Sequence, residues 1–287
     1  MSKRQVVKQD YKLVNARYKL NTSEIKIIMN AISEIDADDG GFQTRKISVQ
    51  ELTRELCVEV KYSRLKTFCE DLFKKPIFIP KDNGGFLVAS WFSSLEYKAG
   101  EGVIEYEISP KLAPYLLELK ERFVKYNLRY ILPLQSSYSI RIYQLLKEYE
   151  KLSRRTFTIE ELRELLSVPK SYLYADFKRK ILQPAERELI ENCDIFFEFE
   201  EIKKGRRVNE LLFRIKPNKS KHDAGASLFE LEPSKFAKYK HRKLKTKDGA
   251  KEINFIEDLG DTLKVYFTDA AHALIPDEEM LKKALLA

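Results

Sequence analysis

The feature that most constrains the fold is a pattern that occurs twice, 110 residues apart. The segment ISVQELTREL, residues 47–56, aligns with FTIEELRELL, residues 157–166. Each copy starts with a short apolar stretch typical of a strand, and then has Ser48 or Thr158 with a glutamate three residues later. A hydroxyl residue followed by glutamate at that spacing predicts a capping box at a helix start. The repeat therefore predicts two copies of one structural unit.

Each copy is flanked by further predicted elements in the same order. A helix precedes it, capped by Thr22 or Ser23 in the first copy and by Ser136 or Ser137 in the second, with apolar residues at helical spacing. Another helix and a β-hairpin follow it. The predicted strands are Ile77–Pro80, Phe86–Tyr97 and Val103–Ile108 in the first copy, and Ile195–Ile202 and Val208–Ile215 in the second.

The order helix, strand, helix, turn, helix, hairpin is that of a winged helix, in which the last helix reads DNA and the hairpin is the wing. The sequence thus predicts an α+β protein with two tandem winged-helix domains and a C-terminal extension. We expect the domains at residues 6–128 and 129–220, and the extension at 221–287. The alternative is that both units use this layout for packing alone.

The charge of the chain is concentrated in its middle part. Of the 287 residues, 44% are hydrophobic, which is enough for a core, and the net charge is +8. Residues 129–221 hold 20 Lys and Arg against 14 Asp and Glu, whereas residues 222–287 hold 11 against 12. A localised positive field favours a polyanionic partner, although a solvated lysine-rich surface would also produce it.

The rarer residues argue against enzymes with common cofactors. The three cysteines are far apart and the three histidines all follow residue 221, so neither a zinc site nor a disulfide framework is expected. The sequence has none of the glycine-rich phosphate-binding loops. We therefore expect no catalytic residue, no metal and no cofactor. Without a long apolar run or a signal-like N-terminus, we also expect a cytosolic protein with no membrane contact.

The helix that begins near Tyr172 in the second copy carries the main candidates for DNA recognition. Apolar residues recur every four positions along it and define a buried side, while Pro184 predicts a kink. Long donors lie on the opposite side, where they can read guanine or adenine edges in the major groove. The groove-facing candidates are Arg179, Lys180, Gln183 and Arg187, and Lys170, Ser171 and Tyr172 are candidate phosphate contacts at the helix start.

The hairpin that follows has a cationic tip. Lys203, Lys204, Arg206 and Arg207 surround Gly205, and such a tip suits a phosphate track or a minor groove. The alternative is an exposed hairpin whose charges deter edge pairing.

The first copy is the weaker candidate for DNA contact. The outer side of its last helix bears Glu70 and Asp71, which would face phosphates, and its predicted wing turn, Asp82-Asn83-Gly84-Gly85, has no cluster of cations. We expect weak DNA contact or a role in protein interaction. The candidate backbone contacts are Lys61, Ser63, Arg64 and Lys66.

Together these segments resemble the plasmid replication initiators of the Rep family, which have two winged-helix domains and bind repeated sequences called iterons. The resemblance covers roughly residues 6–217. The segments that carry it are VVKQDYKLVNARYKLNTSEIKIIMNAI, SSYSIRIYQLLKEY, FTIEELRELLSVPKSYLYADFKRKILQPAERELIE and IKKGRRVNELLFRI.

The resemblance implies a plasmid-encoded bacterial protein that binds double-stranded origin repeats and helps open an AT-rich region. It implies a homodimer that represses its own gene, a monomeric DNA-binding form, and the host initiator DnaA and the replicative helicase as partners. The first domain would supply dimerisation and backbone contacts. The second would read bases through Ser171 to Gln183, with Lys178, Arg179 and Lys180 at the core, and through the wing Lys203 to Arg207.

Two other functions stay open at the level of the sequence. A transcriptional regulator with tandem winged helices would read DNA in the same way. An enzyme such as a relaxase is the third candidate, but it would need a histidine-rich metal site that the sequence lacks. The tail after residue 221 has no counterpart in the resemblance. We expect a solvated basic linker at Lys235–Lys251 and a small acidic element of unknown role after it.

Overall fold

The computed structural model describes residues 6–35, 41–54, 56, 58, 62–119, 123–218, 242–246, 249–258, 263–267, 272–276 and 278–284. The chain divides into two compact regions, Met1–His222 and Asp223–Ala287. Both copies of the sequence repeat lie in the first region, and each forms a winged helix, as the sequence predicted. These two winged helices are the first and the second unit. The predicted boundary between them at residue 128 stays a prediction.

The first winged helix is framed by a ribbon in which its first and last strands pair antiparallel, with Val6 opposite Asn127. In chain order its elements are β1 (Val6–Asp10), α1 (Tyr11–Val14), β2 (Arg17–Tyr18), α2 (Thr22–Ser33), β3 (Arg45–Ser48), α3 (Val49–Arg54), α4 (Leu65–Phe73), β4 (Pro76–Pro80), β5 (Phe86–Ser90), β6 (Phe92–Lys98), β7 (Val103–Ile108), α5 (Ala113–Leu116) and β8 (Phe123–Asn127). Two three-stranded sheets, ordered β2-β4-β5 and β3-β7-β6, flank its helices.

The second winged helix has one sheet, ordered β10-β11-β9, packed against its helices. Phe157, Phe197 and Phe213 are fully buried between them, with ring centroids 5.2–5.6 Å apart. In chain order its elements are α6 (Ser137–Lys147), β9 (Arg154–Thr158), α7 (Ile159–Leu165), α8 (Tyr174–Phe177), a π-helical turn (Lys178–Leu182), α9 (Gln183–Asn192), β10 (Ile195–Lys204) and β11 (Arg207–Pro217).

At the repeated position the first copy has both hydrogen bonds of the predicted capping box, and the second copy has the hydroxyl-to-amide bond. The Ser48 hydroxyl accepts from the Glu51 amide at 3.0 Å, and the Glu51 carboxylate accepts from the Ser48 amide at 2.8 Å. Thr158 accepts from the Glu161 amide in the same way. The predicted cap of α2 at Thr22 or Ser23 is wrong, because the cap is Asn21. An asparagine carboxamide accepts a backbone hydrogen bond as well as a hydroxyl does.

The wing of the first unit is not where the sequence placed it. The strand predicted over Phe86–Tyr97 is divided at Trp91, and its halves β5 and β6 belong to different sheets. Because β3 and β9 each pair with the last strand of a hairpin, β6–β7 is the counterpart of β10–β11. The tip of the first wing therefore lies between Lys98 and Val103, and the turn at Asp82 belongs to the separate β4–β5 hairpin.

Buried polar contacts join α6 to the segment that follows β1. Arg141 on α6 is 4% exposed, and its guanidinium donates to the carbonyls of Val14 at 2.9 Å and Ala16 at 3.1 Å. It also donates to the Tyr18 hydroxyl at 2.8 Å and stacks 4.2 Å from that ring. Buried polar groups of this kind need their partners, so the contact fixes α6 against residues 14–18.

In the tail, residues 243–246 and 249–251 lie in strands, so the prediction of a linker up to Lys251 is wrong there; residues 235–241 and 247–248 lie outside the described ranges. A four-stranded antiparallel sheet forms in chain order, with Leu244, Ile253 and Val265 buried. Gly249, at φ +110°, lies opposite Thr246 at the start of the second strand of this sheet, a backbone conformation that glycine adopts readily. The elements are β12 (Lys243–Thr246), β13 (Gly249–Asp258), β14 (Leu263–Phe267), β15 (His272–Ile275) and α10 (Glu278–Ala284). Within the described ranges, every helix is too short or too polar to cross a bilayer.

Candidate nucleic-acid interface

The reading helix of the second unit starts later than predicted. Lys170, Ser171 and Tyr172 lie in a turn before the helix, and Leu173 is the N-cap residue of α8. A start at Ser171 is therefore wrong. Lys170 and Ser171 are exposed in the turn, where their donors are available to a phosphate, while Tyr172 is half-buried beneath the Lys180 ammonium, 4.6 Å from its ring.

The turn before the helix is held by an arginine from α7. The Arg163 guanidinium donates to the carbonyls of Pro169 at 3.1 Å and Tyr172 at 2.7 Å. The Tyr172 amide also donates to the Pro169 carbonyl at 3.1 Å. The start of the reading helix is thus fixed in place before any ligand arrives.

The two sides of the reading helix are as the sequence predicted. Phe177, Ile181, Ala185 and Leu189 are each at most 1% exposed and form the buried side. The predicted groove-facing residues Arg179, Lys180, Gln183 and Arg187 are all exposed. The fold therefore presents long hydrogen-bond donors on one continuous helical surface.

The predicted irregularity near Pro184 takes the form of a π-helical turn over Lys178–Leu182. The Gln183 amide donates to the Lys178 carbonyl, five residues back. Proline has no amide hydrogen for the carbonyl four residues earlier and its ring clashes there, so the preceding turn widens.

Asp176 supplies a negative charge on the exposed side of the helix, next to two of the predicted donors. Its carboxylate accepts from the Arg179 guanidinium at 3.2 Å and lies 3.1 Å from the Lys180 ammonium. Hydrogen bonds from Lys180 and Arg179 hold the pKa of Asp176 below its usual value. The acid orients both cations and offsets part of their charge on this side of the helix.

Lys178, predicted at the core of the reading surface, reaches instead to the wing. Its ammonium lies 2.7 Å from the Glu201 carboxylate on β10, which also accepts from the Tyr174 hydroxyl at 2.8 Å. These hydrogen bonds, from Lys178 first and Tyr174 second, lower the pKa of Glu201. The three side chains connect the reading helix to the wing and set the angle between them.

The tip of the second wing carries charge that no described residue balances by an ion pair. Lys203, Lys204, Arg206 and Arg207 are all exposed around a turn at Gly205, whose φ is +64°. The strands extend further into this segment than predicted, and the turn itself is Gly205-Arg206. The base of the same hairpin differs from the tip, because Arg214 pairs with Glu200 and Lys216 with Glu198, each at 2.6 Å. The positive field is therefore concentrated at the tip.

The first unit offers a different surface. Ser63, Arg64 and Lys66 are exposed near the start of α4, and Lys61 lies outside the described residues. Exposed Glu70 and Asp71 follow on the same helix, as predicted.

The true wing of the first unit has mixed charge. Lys98 pairs with Glu105 at 3.0 Å, and Lys46 pairs with Glu101 at 3.0 Å. This hairpin therefore lacks the unbalanced cations that the second wing presents, and the strongest candidate interface lies on the second unit.

Sequence reasoning missed three residues of the interface. Asp176 was detectable, because an acid three and four residues before two cations predicts helical ion pairs. Glu201 and Leu173 gave no such signal, since the first depends on a contact between helix and wing and the second on where the helix starts. In the described part of the chain, no three His, Cys, Asp or Glu side chains cluster as a metal site.

Comparison with known proteins matches both units to family models. The model described as "Initiator Replication protein, WH1" matches residues 6–147, and "Initiator Rep protein, WH2" matches residues 158–215. The chain is 24% identical over 217 residues to an "Uncharacterized 27.6 kDa protein" of Escherichia coli, covering 69% of this chain and 90% of that protein. It is 29% identical over 139 residues to an Escherichia coli "Replication initiation protein", covering 46% of this chain and 42% of that protein.

Among solved structures, the fold is similar to that of the Pi initiator protein, crystallised in complex with iteron DNA. The TM-score is 0.61 at 21% identity, covering 75% of this chain and 98% of that chain. At this identity the similarity supports the fold alone.

Proposed function

Since the chain belongs to the family of Rep initiator proteins with two winged-helix domains, we propose that it is a plasmid replication initiator that binds repeated sequences at an origin. One observation carries the proposal. The second unit combines an exposed row of long donors on a pre-positioned helix with a wing tip whose four cations have no ion-pair partner among the described residues. The donors of the helix can contact base edges, and the cations of the wing tip can bind phosphates of the same duplex.

The division of labour follows from the geometry. Arg179, Gln183 and Arg187 would enter the major groove, where arginine reads guanine and glutamine reads adenine. The wing tip would follow the adjacent phosphates or minor groove. Lys170 and Ser171 would hold the backbone at the helix start. The chemistry is binding and deformation of DNA, with no catalytic group assigned.

The remaining parts of the proposal concern the first unit and the partners. The acid-bearing α4 and the balanced charges of the first wing suit a surface that touches DNA little and binds protein, including a second copy of this chain. We extend the proposal to a dimer that represses its own gene, a monomer that binds iterons, and recruitment of DnaA and the replicative helicase in the bacterial cytoplasm. The relatives named as initiators support the initiation role alone.

A replication assay tests the proposal. A circular DNA that carries this gene, its flanking sequence and no other initiator should be maintained in a bacterial host. The matched circle encodes Arg206→Ala and Arg207→Ala together and should be lost. Failure of the first circle to replicate, while the protein still silences a reporter on its promoter, would favour a transcriptional regulator instead.

A further inference from the structure

An exposed leucine, Leu173, lies at the N-terminus of the reading helix, and its side chain is not part of the buried core. Leu173 is 74% exposed, the highest value among the large apolar residues described. Ala175, two residues later in the first turn of the helix, is exposed as well. Leu173 caps α8 through its backbone alone, because its carbonyl accepts from the Phe177 amide at 2.9 Å and its side chain makes no capping bond.

The backbone that carries Leu173 is held rigidly. Arg163 bonds the carbonyl of the preceding residue, Tyr172, and the Phe177 amide bonds the carbonyl of Leu173 itself. A contact made by this side chain would therefore cost little ordering of the chain.

The surroundings of Leu173 favour nucleic acid over an apolar protein partner. Lys170 and Ser171 are exposed before it, and Arg179 and Lys180 are exposed one to two turns after it. The first residues of a recognition helix are those that reach base edges. The apolar group that a duplex presents in the major groove is the C5-methyl of thymine.

We propose that Leu173 is a specificity-determining residue that packs against a thymine methyl group in the major groove. The inference rests on the proposed DNA-binding function and adds a base identity to it. Cytosine has no such methyl, so a leucine here would select T·A over C·G at one position without a hydrogen bond.

The experiment replaces single thymines by uracil, which removes the methyl and keeps every hydrogen bond. The probe is a labelled duplex containing one direct repeat from the DNA beside this gene, bound by the full chain at fixed salt. A buried methyl group is worth about a fourfold change in affinity. One uracil position should therefore weaken the unsubstituted protein about fourfold.

Two variants show whether Leu173 causes that loss. Leu173→Ala should bind the thymine and uracil duplexes equally at that position, and Leu173→Met should restore the difference. Leu152→Ala is the matched control, because Leu152 is 66% exposed in the turn after α6 and should leave the uracil profile unchanged.

The possible results distinguish failure of the thymine contact from failure of the proposed DNA-binding function. A uracil profile that Leu173→Ala leaves unchanged, in a protein that still binds the repeat, overturns the thymine contact alone. Absence of repeat-specific binding by the unsubstituted chain overturns the proposed function and the contact with it.

Discussion

The wing tip gives the most quantitative prediction of the structure. Arg206 and Arg207 are exposed, and neither has an ion pair with another described residue, so replacing both by alanine should leave folding within about 0.5 kcal/mol of the parent. Each phosphate that a cation neutralises contributes about 0.9 to the slope of log affinity against log salt. The slope of the double variant should therefore be less steep than that of the parent by about 1.8.

That change is large enough to measure directly. Between about 50 and 200 mM salt, the double variant should lose about twelvefold less affinity than the parent. Fluorescence anisotropy with one labelled duplex, read at four or more salt concentrations, gives the slope for each protein.

The matched control is Arg214→Ala on the same strand. Arg214 is also exposed, but Glu200 already balances its charge through bonds of 2.6 and 3.2 Å. Its removal should leave the slope nearly unchanged, because Glu200 already pairs with this cation, and it should cost only about 0–1 kcal/mol of folding stability, because the pair is exposed. An unchanged slope in the double variant, or an equal fall in Arg214→Ala, would refute the assignment of the wing tip to phosphates.

Three further outcomes are expected. Arg141→Ala leaves the buried carbonyls of Val14 and Ala16 without this donor, at about 1–3 kcal/mol each, so urea titration should show a fall of about 2–6 kcal/mol in the free energy of unfolding; a fall below about 0.5 kcal/mol would mean that Arg141 does not hold α6 against that segment. Asp176→Asn removes a carboxylate that repels phosphates, so it should raise the affinity for unrelated duplex. Competitor titrations should then show a smaller ratio of the affinity for the repeat to the affinity for unrelated duplex, and an unchanged ratio would contradict this effect of Asp176. Glu201 has a lowered pKa, so it stabilises the fold above the pKa of an unfolded glutamate, and that stability is lost as pH falls through its folded value. The melting temperature of the parent should therefore fall more between pH 7 and pH 3 than that of Glu201→Gln, and parallel curves would exclude the contact.

The sequence was most informative where local patterns decide the structure. The capping pairs at Ser48 and Thr158 and the four-residue stripe of the reading helix were predicted correctly, because each depends on residues close in the chain. The repeat then supplied the fold of both units from one motif. The exposed donors of the helix and the cations of the wing followed from the same spacing.

The predictions from the sequence were wrong where contacts between distant segments determine the structure. The start of the reading helix moved to Tyr174 because Arg163, on another helix, fixes the turn before it. The strand predicted over Phe86–Tyr97 was divided because its two halves pair with different partners, β4 and β7. Lys178 was wrongly placed in the groove-facing set, because its ion pair with Glu201 depends on how the wing packs against the helix, which the local sequence does not show.

The tail was misjudged for a related reason. Its lysines suggested a solvated linker, yet Leu244 alternates with them and is 2% exposed in the sheet. Alternation over four residues is too short a signal to separate a strand from a linker.

Footprinting of the purified chain on the DNA beside its own gene, at physiological salt, tests the central claim most directly. The account predicts protection of several direct repeats, each about two helical turns long, with the strongest protection where the second unit reads the major groove. Arg206→Ala with Arg207→Ala should weaken every repeat alike. Protection confined to one inverted site over the promoter, or no protection at all, would contradict an initiator that binds origin repeats.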